Sequence, residues 1–385
     1  MAINVQFVRL RFTYLTVYDN LIHTDRETNL NIERQIMKYY LLGKSGLRVA
    51  ELALGAMSFG TEWGWGIEIN EARKMLDLYI DNGGNFVDTA NFYTNGSSEK
   101  MLGELLGEKR QQIVLSTKYT MNTHPGDSNG GGNHRKSMVR SVETSLQRLK
   151  TDYIDLLYLH IWDGTTPVEE ILRAMDDLVR AGKVLYVGIS DTPAWQISRM
   201  QAIADLRGWS PLVALQIEYN LIERTTEREL IPMANEMGLG VVPWSPLASG
   251  LLSGKYSRED FLNKSASTGF QGSRKTGIET LGKFTERNME IVDEVKKVAS
   301  EVKKSPAQVA LAWLLSKSTV TSVLLGVSKL EQLENNLGSL NTHLSPDQIK
   351  RLDDISRVEM GFPHAILANP TVQQMISGGI EVHRK

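Results

Sequence analysis

The chain has 385 residues, 41% of them hydrophobic, which suffices for one large buried core or two ordinary ones. Its 43 Lys and Arg residues nearly cancel its 45 Asp and Glu residues, so no broad basic surface is available to bind nucleic acid or an anionic membrane. The absence of cysteine excludes disulfides, thiolate nucleophiles and cysteine zinc sites.

Residues 1–36 precede the first clear structural pattern. Arg9 and Arg11 interrupt their apolar character and no small-residue cleavage pattern follows, so a secretory signal is not expected. No apolar run in the chain approaches the roughly 20 residues that a membrane helix needs. We expect residues 1–36 to be a disordered extension or a non-native start, followed by a single domain over residues 37–385 of a cytoplasmic protein.

Residues 37–51 alternate polar and apolar side chains around the short segment Gly43-Lys44-Ser45-Gly46. Such a turn between two alternating runs predicts a β-hairpin. Eight apolar runs rich in branched and aromatic residues overlap and follow it, and these predict strands. They are Val49–Met57, Phe86–Ala90, Ile113–Thr120, Tyr153–His160, Val184–Ser190, Leu212–Asn220, Gly240–Leu247 and Ser322–Ser328.

Stretches with apolar residues at positions i, i+3 and i+4 separate the strands and predict helices. They are Glu71–Asn82, Glu99–Glu108, Lys136–Leu149, Val168–Arg180, Ala194–Leu206, Glu227–Glu236, a long region Arg287–Ser316, and Lys329–Leu337. Ser305 followed by Pro306 predicts a helix start inside the long region. We also expect extra helices near the C-terminus.

Eight alternations of strand and helix predict parallel strands joined by right-handed crossovers, and eight such units close into a (β/α)8 TIM barrel. An open doubly wound sheet is the alternative, but no GxGxxG fingerprint follows the first strand. In a barrel, the long Gly- and Ser-rich loops Asn122–Arg135 and Ser253–Lys283 follow strands at the C-terminal face. They are therefore candidate lids over an active site.

Four polar residues lie at or just beyond the ends of successive predicted strands. They are Asp88, Tyr93, Lys118 and His160. Singly, each fits an ordinary structural role, since such an Asp commonly caps a turn, a Tyr packs in a core and a lone His is usually a hydrogen-bonded structural group. Their apolar surroundings make an unpaired charge costly, and their common position allows them to converge.

The segment Gly84-Asn85-Phe86-Val87-Asp88-Thr89-Ala90 followed by Tyr93 resembles the signature of the aldo-keto reductase superfamily. The spacing onward to Lys118 and His160 also matches the catalytic tetrad of that family. The resemblance extends from about Met37 to the C-terminus and is closer to the members that are similar to potassium-channel β-subunits and to bacterial aldo-keto reductases.

The resemblance implies reduction of an aldehyde or ketone by hydride from NADP(H). Reduction develops negative charge on the carbonyl oxygen, which requires a proton donor. Tyr93 is that acid in the family pattern, although a phenol has an unperturbed pKa of roughly 10. Lys118 would favour its ionised form, Asp88 would hold the ammonium group, and His160 would orient the substrate oxygen or relay the proton.

Cofactor contacts are also implied by the resemblance. Ser190 and Gln216 correspond to residues that bind the nicotinamide carboxamide, and Trp244 to the aromatic residue that stacks on its ring, although both Gln216 and Trp244 are also typical packing residues. The pyrophosphate would be held by Ser245, Pro246, Leu247, Ser249, Gly250 and Lys255. The adenosine 2′-phosphate side would involve Arg274, Gly326, Ser328, Lys329, Gln332, Asn335 and Asn336, with Asn335 standing where relatives often carry Glu.

Trp63 and Trp162 fall in loops beyond the first and fourth strands. Together with Trp65, the loop 122–135 and the C-terminal segment 361–370, they are candidate walls of an aromatic or apolar substrate pocket, or else surface packing residues.

Two other functions remain open on the sequence. A cofactor-binding regulatory protein similar to the potassium-channel β-subunits would bind nicotinamide with little turnover. Lys118 could instead form a Schiff base, but a neighbouring Asp partner would keep it charged. Because the seven His residues are scattered, no metal site is expected.

Overall fold

A computed structural model of the protein describes residues 37–262 and 282–381. The predicted extension over residues 1–36 and the candidate phosphate ligand Arg274 lie outside the described residues. None of the helices among the described residues has the length and apolarity needed to cross a membrane.

The predicted hairpin is confirmed. Strand β1 (Tyr39–Leu41) pairs antiparallel with β2 (Arg48–Ala50). Gly43 lies in the connecting turn with a φ of +57°, and a Cβ there would lie only 2.3 Å from the Val213 carbonyl oxygen. The Lys44 amide donates to the Gly238 carbonyl at 2.9 Å. The turn therefore sits against the N-terminal ends of the later strands and closes the bottom of the sheet.

Eight parallel strands form the barrel, so the (β/α)8 prediction is confirmed and the open doubly wound sheet is wrong. They are β3 (Leu52–Gly55), β4 (Phe86–Asp88), β5 (Val114–Tyr119), β6 (Ile154–Leu159), β7 (Val184–Ser190), β8 (Leu212–Glu218), β9 (Gly240–Trp244) and β10 (Val323–Gly326). The sheet order runs β10-β3-β4-β5-β6-β7-β8-β9. At the seam between β9 and β10, the Thr321 amide donates to the Val241 carbonyl at 2.8 Å.

The first predicted strand, Val49–Met57, is in fact two strands. Val49 and Ala50 belong to the hairpin strand β2, and the barrel strand β3 begins only at Leu52. The chain bends at Glu51, whose carboxylate accepts a hydrogen bond from the Lys38 amide at 2.9 Å. Apart from Glu51 itself, the run from Val49 to Met57 is apolar, and it conceals this bend because Val49, Ala50 and all of β3 are buried.

The helices lie outside the barrel, and most begin and end close to the predicted positions. Between the strands these helices are Ile69–Asp81, Ser97–Leu106, Arg135–Leu149, Val168–Arg180, Ala194–Arg207 and Leu230–Met237, and later in the chain Arg258–Leu262, Glu286–Val302, Pro306–Leu315 and Leu330–Leu337. The expected extra C-terminal helices are Pro346–Ile355, His364–Leu367 and Pro370–Ser377.

The long predicted helical region Arg287–Ser316 consists of two helices. Lys303 ends the first one in the left-handed conformation, with φ 54°. Ser305 then forms a reciprocal capping box with Gln308, with Pro306 in the first turn of the second helix, as predicted. Two apolar clusters result from the fold, a small one inside the barrel and a larger one between the sheet and the helices. Packing on both sides of the sheet fixes the C-terminal ends of the barrel strands. We call the end of the barrel that these strand ends and the loops after them form the rim.

Candidate active site

Lys118 lies at the centre of the rim, near the end of β5, with its side chain fully buried. Its ammonium group forms an ion pair with Asp88 and donates to the Thr89 carbonyl at 2.8 Å and to the Tyr93 phenol oxygen at 3.2 Å. Burial alone would lower the pKa of Lys118, but Asp88 and Tyr93 outweigh it and raise that pKa above its usual value. Lys118 is therefore a fixed cation.

Asp88 ends β4 and is 1% exposed. Its second carboxylate oxygen accepts from the Ser116 hydroxyl at 2.7 Å and from the Gln216 amide at 3.0 Å. Gln216, predicted to bind the carboxamide of a cofactor, thus also contacts Asp88. It lies beside Ser190 on the neighbouring strand, so two residues predicted for one task are brought together.

Tyr93 follows β4 in a short turn in which Thr94 and Asn95 have φ values of 46° and 54°. Burial raises the pKa of Tyr93, and the charge on Lys118 opposes that rise. Sequence reasoning predicted the lysine's effect but not the stronger effect of burial. The phenol is consequently protonated at neutral pH.

Arg148 holds the turn that carries Tyr93 from behind. Its guanidinium donates to the Asn91 carbonyl at 2.8 Å and to the buried carboxylate of Glu99 at 3.1 Å. It also lies over Gly96, where a Cβ would approach within 2.4 Å of its central carbon. Neither Arg148 nor Glu99 stands out in the sequence as part of the site.

His160 follows β6 and meets the Tyr93 ring edge-on, with ring centroids 5.7 Å apart. Burial, and then the charge on Lys118, lower the pKa of His160 to about 3. Within the described residues, its buried Nδ1 atom has no hydrogen-bond partner. The four residues of the predicted tetrad therefore do converge, around a neutral imidazole and a protonated phenol.

Asp191 is a member of the rim that sequence reasoning missed. It directly follows β7 with a φ of 34°, and its carboxylate accepts a hydrogen bond from the Trp244 indole N–H at 3.1 Å. Burial raises the pKa of Asp191 to about 6, although Trp244 and Lys118 both act against that rise. The sequence pattern Ser-Asp-Thr-Pro before a helix indicates only a turn, so nothing in it connects Asp191 with Trp244.

The segment after β9, predicted to hold a pyrophosphate, adopts an unusual backbone. Ser245, Ala248 and Ser249 have φ values of 51°, 49° and 57°, a region that L-residues rarely adopt. The Ser249 amide donates to the Ser245 hydroxyl at 3.0 Å. Pro246 and Leu247 lie within this turn, and a Cβ at Gly250 would lie 3.5 Å from the Lys255 ammonium. The turn therefore places the Ser245 hydroxyl, the Ser249 amide and the Lys255 ammonium in one short segment.

The second predicted phosphate region joins β10 to the helix Leu330–Leu337. Gly326 and Lys329 are exposed, and Gln332 accepts from both the amide and the hydroxyl of Ser328, at 3.0 and 3.4 Å. Asn336 is buried, and the Asn335 carbonyl accepts from Gln308 at 2.8 Å. The structure therefore pairs Ser328 with Gln332 and turns Asn336 inward.

Aromatic rings surround Tyr93 on the side of the first barrel loop. The Trp63 ring centroid lies 6.3 Å from that of Tyr93, 5.4 Å from that of Phe92 and 5.6 Å from that of Trp65. Trp162 is half-buried and packs against the large apolar cluster. In the C-terminal segment, by contrast, Phe362 is 88% exposed. Trp63 thus adjoins the tetrad, whereas the ring of Phe362 faces solvent.

The predicted lid loop 122–135 is anchored to the loop after β6. Asn133 and Asp163 exchange two hydrogen bonds, from the amide of each to the side chain of the other, both of 2.8 Å. The Asn133 amide group also donates to Thr120 and to the Ile161 carbonyl, at 2.9 and 3.0 Å. The end of this loop nearest the rim is therefore fixed.

Comparison with known proteins adds relatives of similar length. A sequence model described as the aldo/keto reductase family matches residues 51–357. A norsolorinic acid reductase of Aspergillus flavus is 38% identical over 343 residues, covering 86% of this chain and 84% of that protein. An NADP(+) aryl-alcohol dehydrogenase of Phanerodontia chrysosporium is 38% identical over 344 residues, covering 84% of this chain and 87% of that protein.

Proposed function

The chain belongs to the aldo/keto reductase family, and on that premise we propose that it reduces an aromatic aldehyde or ketone to the alcohol with NADPH. One observation carries the proposal: the buried ammonium of Lys118 lies between the carboxylate of Asp88 and the phenol oxygen of Tyr93, 3.2 Å from the latter. This arrangement places a protonated phenol beside a fixed positive charge, as protonation of a developing alkoxide requires.

Each member of the tetrad has a distinct task in this proposal. Tyr93 donates its phenolic proton to the carbonyl oxygen, and Lys118 stabilises the phenolate that remains. Asp88, held by Ser116 and Gln216, keeps the Lys118 side chain in place. Because His160 stays neutral, one of its ring nitrogens can donate a hydrogen bond that orients the substrate oxygen.

The residues present fit a nicotinamide dinucleotide, which would supply the hydride. The strained turn 245–250 brings the Ser245 hydroxyl against the Ser249 amide and Gly250 close to the Lys255 ammonium, a donor set suited to a diphosphate. Ser190 and Gln216 would contact the carboxamide, and Trp244 would stack on the ring. Lys329, exposed before a helix N-terminus, suits the 2′-phosphate and so favours NADPH over NADH.

Aromatic substrates are proposed because of the rings beside Tyr93 and because one relative is an aryl-alcohol dehydrogenase. Trp63, Trp65 and Phe92 form a continuous group that reaches the phenol. A flat ring could stack against Trp63 while its carbonyl group points to Tyr93 and His160. Trp162 is proposed as a second wall.

The test measures the reduction of a panel of aliphatic and aromatic carbonyl compounds. The readout is the rate at which NADPH, and in parallel NADH, is consumed. We expect turnover with aromatic aldehydes, and we expect Tyr93→Phe to lose about 10²–10⁴ in kcat while still binding NADPH. Tyr40→Phe is a matched control, since Tyr40 is 45% exposed on the hairpin strand β1, at the opposite end of the barrel from the rim. Cofactor binding without turnover on any compound would instead support the regulatory, β-subunit-like function.

A further inference from the structure

The carboxylate of Asp191 is an acidic group of the rim that the proposed chemistry does not use. Its backbone is fixed, since the Asp191 carbonyl accepts from the Trp162 amide at 3.2 Å. Its side chain accepts from the Trp244 indole N–H. Across the residues that the structure describes, no Lys, Arg or His forms an ion pair with it.

The charged groups around Asp191 do not neutralise its carboxylate. Lys118 acts on Asp191 electrostatically, but its ammonium is already paired with Asp88, so that pair is neutral as a whole. The Asp191 carboxylate also acts electrostatically on Tyr93, which is uncharged because burial raises the pKa of its phenol. His160 is uncharged as well, with a pKa lowered to about 3. Above mildly acidic pH, the unbalanced charge at this part of the rim is therefore the Asp191 carboxylate.

We propose that Asp191 sets the preference of the site for the oxidised over the reduced form of the nicotinamide cofactor. The inference rests on the proposed function, in which the nicotinamide ring stacks on Trp244. A ring on that indole would lie beside the carboxylate that accepts the indole N–H. The oxidised ring carries a positive charge and the reduced ring is neutral, so a neighbouring carboxylate stabilises the oxidised form selectively.

The preference should depend on pH in a way that identifies Asp191. Burial raises the pKa of Asp191 to about 6, so the carboxylate is present at neutral pH and is lost as the pH falls through that value. The selectivity for the oxidised form should disappear with it. The 2′-phosphate of the cofactor also titrates near neutrality, but it is common to both redox forms and cancels in the ratio of their affinities.

Asp191→Asn isolates the charge. An Asn side-chain oxygen can still accept the Trp244 N–H, and Asn tolerates the left-handed backbone at φ 34° better than most residues. Asp191→Ala removes both the charge and the acceptor. Asp81→Asn is the control for loss of one negative charge, since Asp81 is exposed at the end of the helix that leads into the bottom of β4.

The experiment measures the dissociation constants of NADP+ and NADPH by titration calorimetry, at about pH 8 and about pH 5, with circular dichroism to verify folding. In the wild type at the higher pH, we expect the ratio of the NADPH constant to the NADP+ constant to exceed that of Asp191→Asn by about tenfold. At the lower pH the two proteins should have similar ratios. Asp81→Asn should match the wild type at both.

The outcomes separate this inference from the proposed function. If the wild type binds both forms and Asp191→Asn leaves the ratio unchanged, the inference is wrong while the proposed function stands. The inference is also wrong if only Asp191→Ala weakens binding, and does so equally for both forms, because Asp191 then merely positions Trp244. Binding of neither form by the wild type would refute the proposed function together with the inference.

Discussion

Replacing Lys118 with methionine should separate the structural cost of the buried ion pair from its part in the chemistry. The change removes the cation but keeps the length and most of the volume of the side chain. Asp88 would then keep its contacts to Ser116 and Gln216 but lose its only ion-pair partner among the described residues. Because the side chain of Asp88 is 1% exposed, water cannot replace the ammonium.

The expected loss of stability follows from this burial. Removing one partner of a buried ion pair costs about 3–5 kcal/mol, since an uncompensated charge stays behind. For a chain of this size, that should lower Tm by about 4–6 °C. Asp88→Asn alone should also destabilise the protein, because Lys118 then keeps its buried charge. The double variant Lys118→Met/Asp88→Asn should regain stability, with a coupling of about 2–3 kcal/mol.

Urea unfolding followed by circular dichroism measures the four proteins of this cycle, and an NADPH-coupled assay measures their activity. The two variants that lack Lys118 should be nearly inactive, including the more stable double variant, because Tyr93 has lost the ammonium 3.2 Å from its phenol oxygen. A double variant as unstable as the sum of the single variants would refute the argument from the buried pair. Retained activity in that variant would refute the role given to Lys118.

Two further predictions concern groups around the tetrad. The pKa of His160 is lowered to about 3 in the folded protein, so the unfolded chain takes up the proton first and the free energy of unfolding falls as the pH drops below about 6.5. The variant His160→Gln cannot take up that proton and should remove up to about 3 kcal/mol of this loss at about pH 4.5. Urea unfolding measured across this pH range tests the prediction. Arg148→Met leaves the buried Glu99 without its cation and releases the Asn91 carbonyl, so it should lower the free energy of unfolding by about 3 kcal/mol and also lower kcat. Glu99→Gln should have smaller effects on both quantities, because Arg148, the partner left unpaired, is the more exposed of the two. Equal losses in these two variants would contradict the argument.

The barrel could be predicted because the alternation of strand and helix patterns along the sequence is strong. Each strand is a short apolar run and each helix an amphipathic one, and the turns between them are marked by glycine or by a cap such as Ser305. The boundaries failed where burial hides a bend, as at Glu51, or where a single left-handed residue ends a helix, as at Lys303. Hydropathy does not encode either backbone event.

Of the site, the sequence could predict the residues but not their mutual contacts. The approach of Lys118 to Tyr93 was expected, but the hydrogen bond from Gln216 to Asp88 joins residues on opposite parts of the barrel. Asp191 was missed because its partner Trp244 follows on a distant strand. The raised pKa of Tyr93 likewise depends on how deeply the fold buries its phenol, which one sequence does not specify.

The place of β10 in the sheet has a consequence for how the chain reaches its fold. Val323–Gly326 lies between β3 and β9, the first and the seventh strands of the barrel. Until this late segment is synthesised, a growing chain can form at most an open sheet whose two edge strands expose unpaired amides and carbonyls. Such edges can pair with strands of other chains. Aggregation should therefore be greatest for incomplete chains whose last residue lies between Trp244 and Val323.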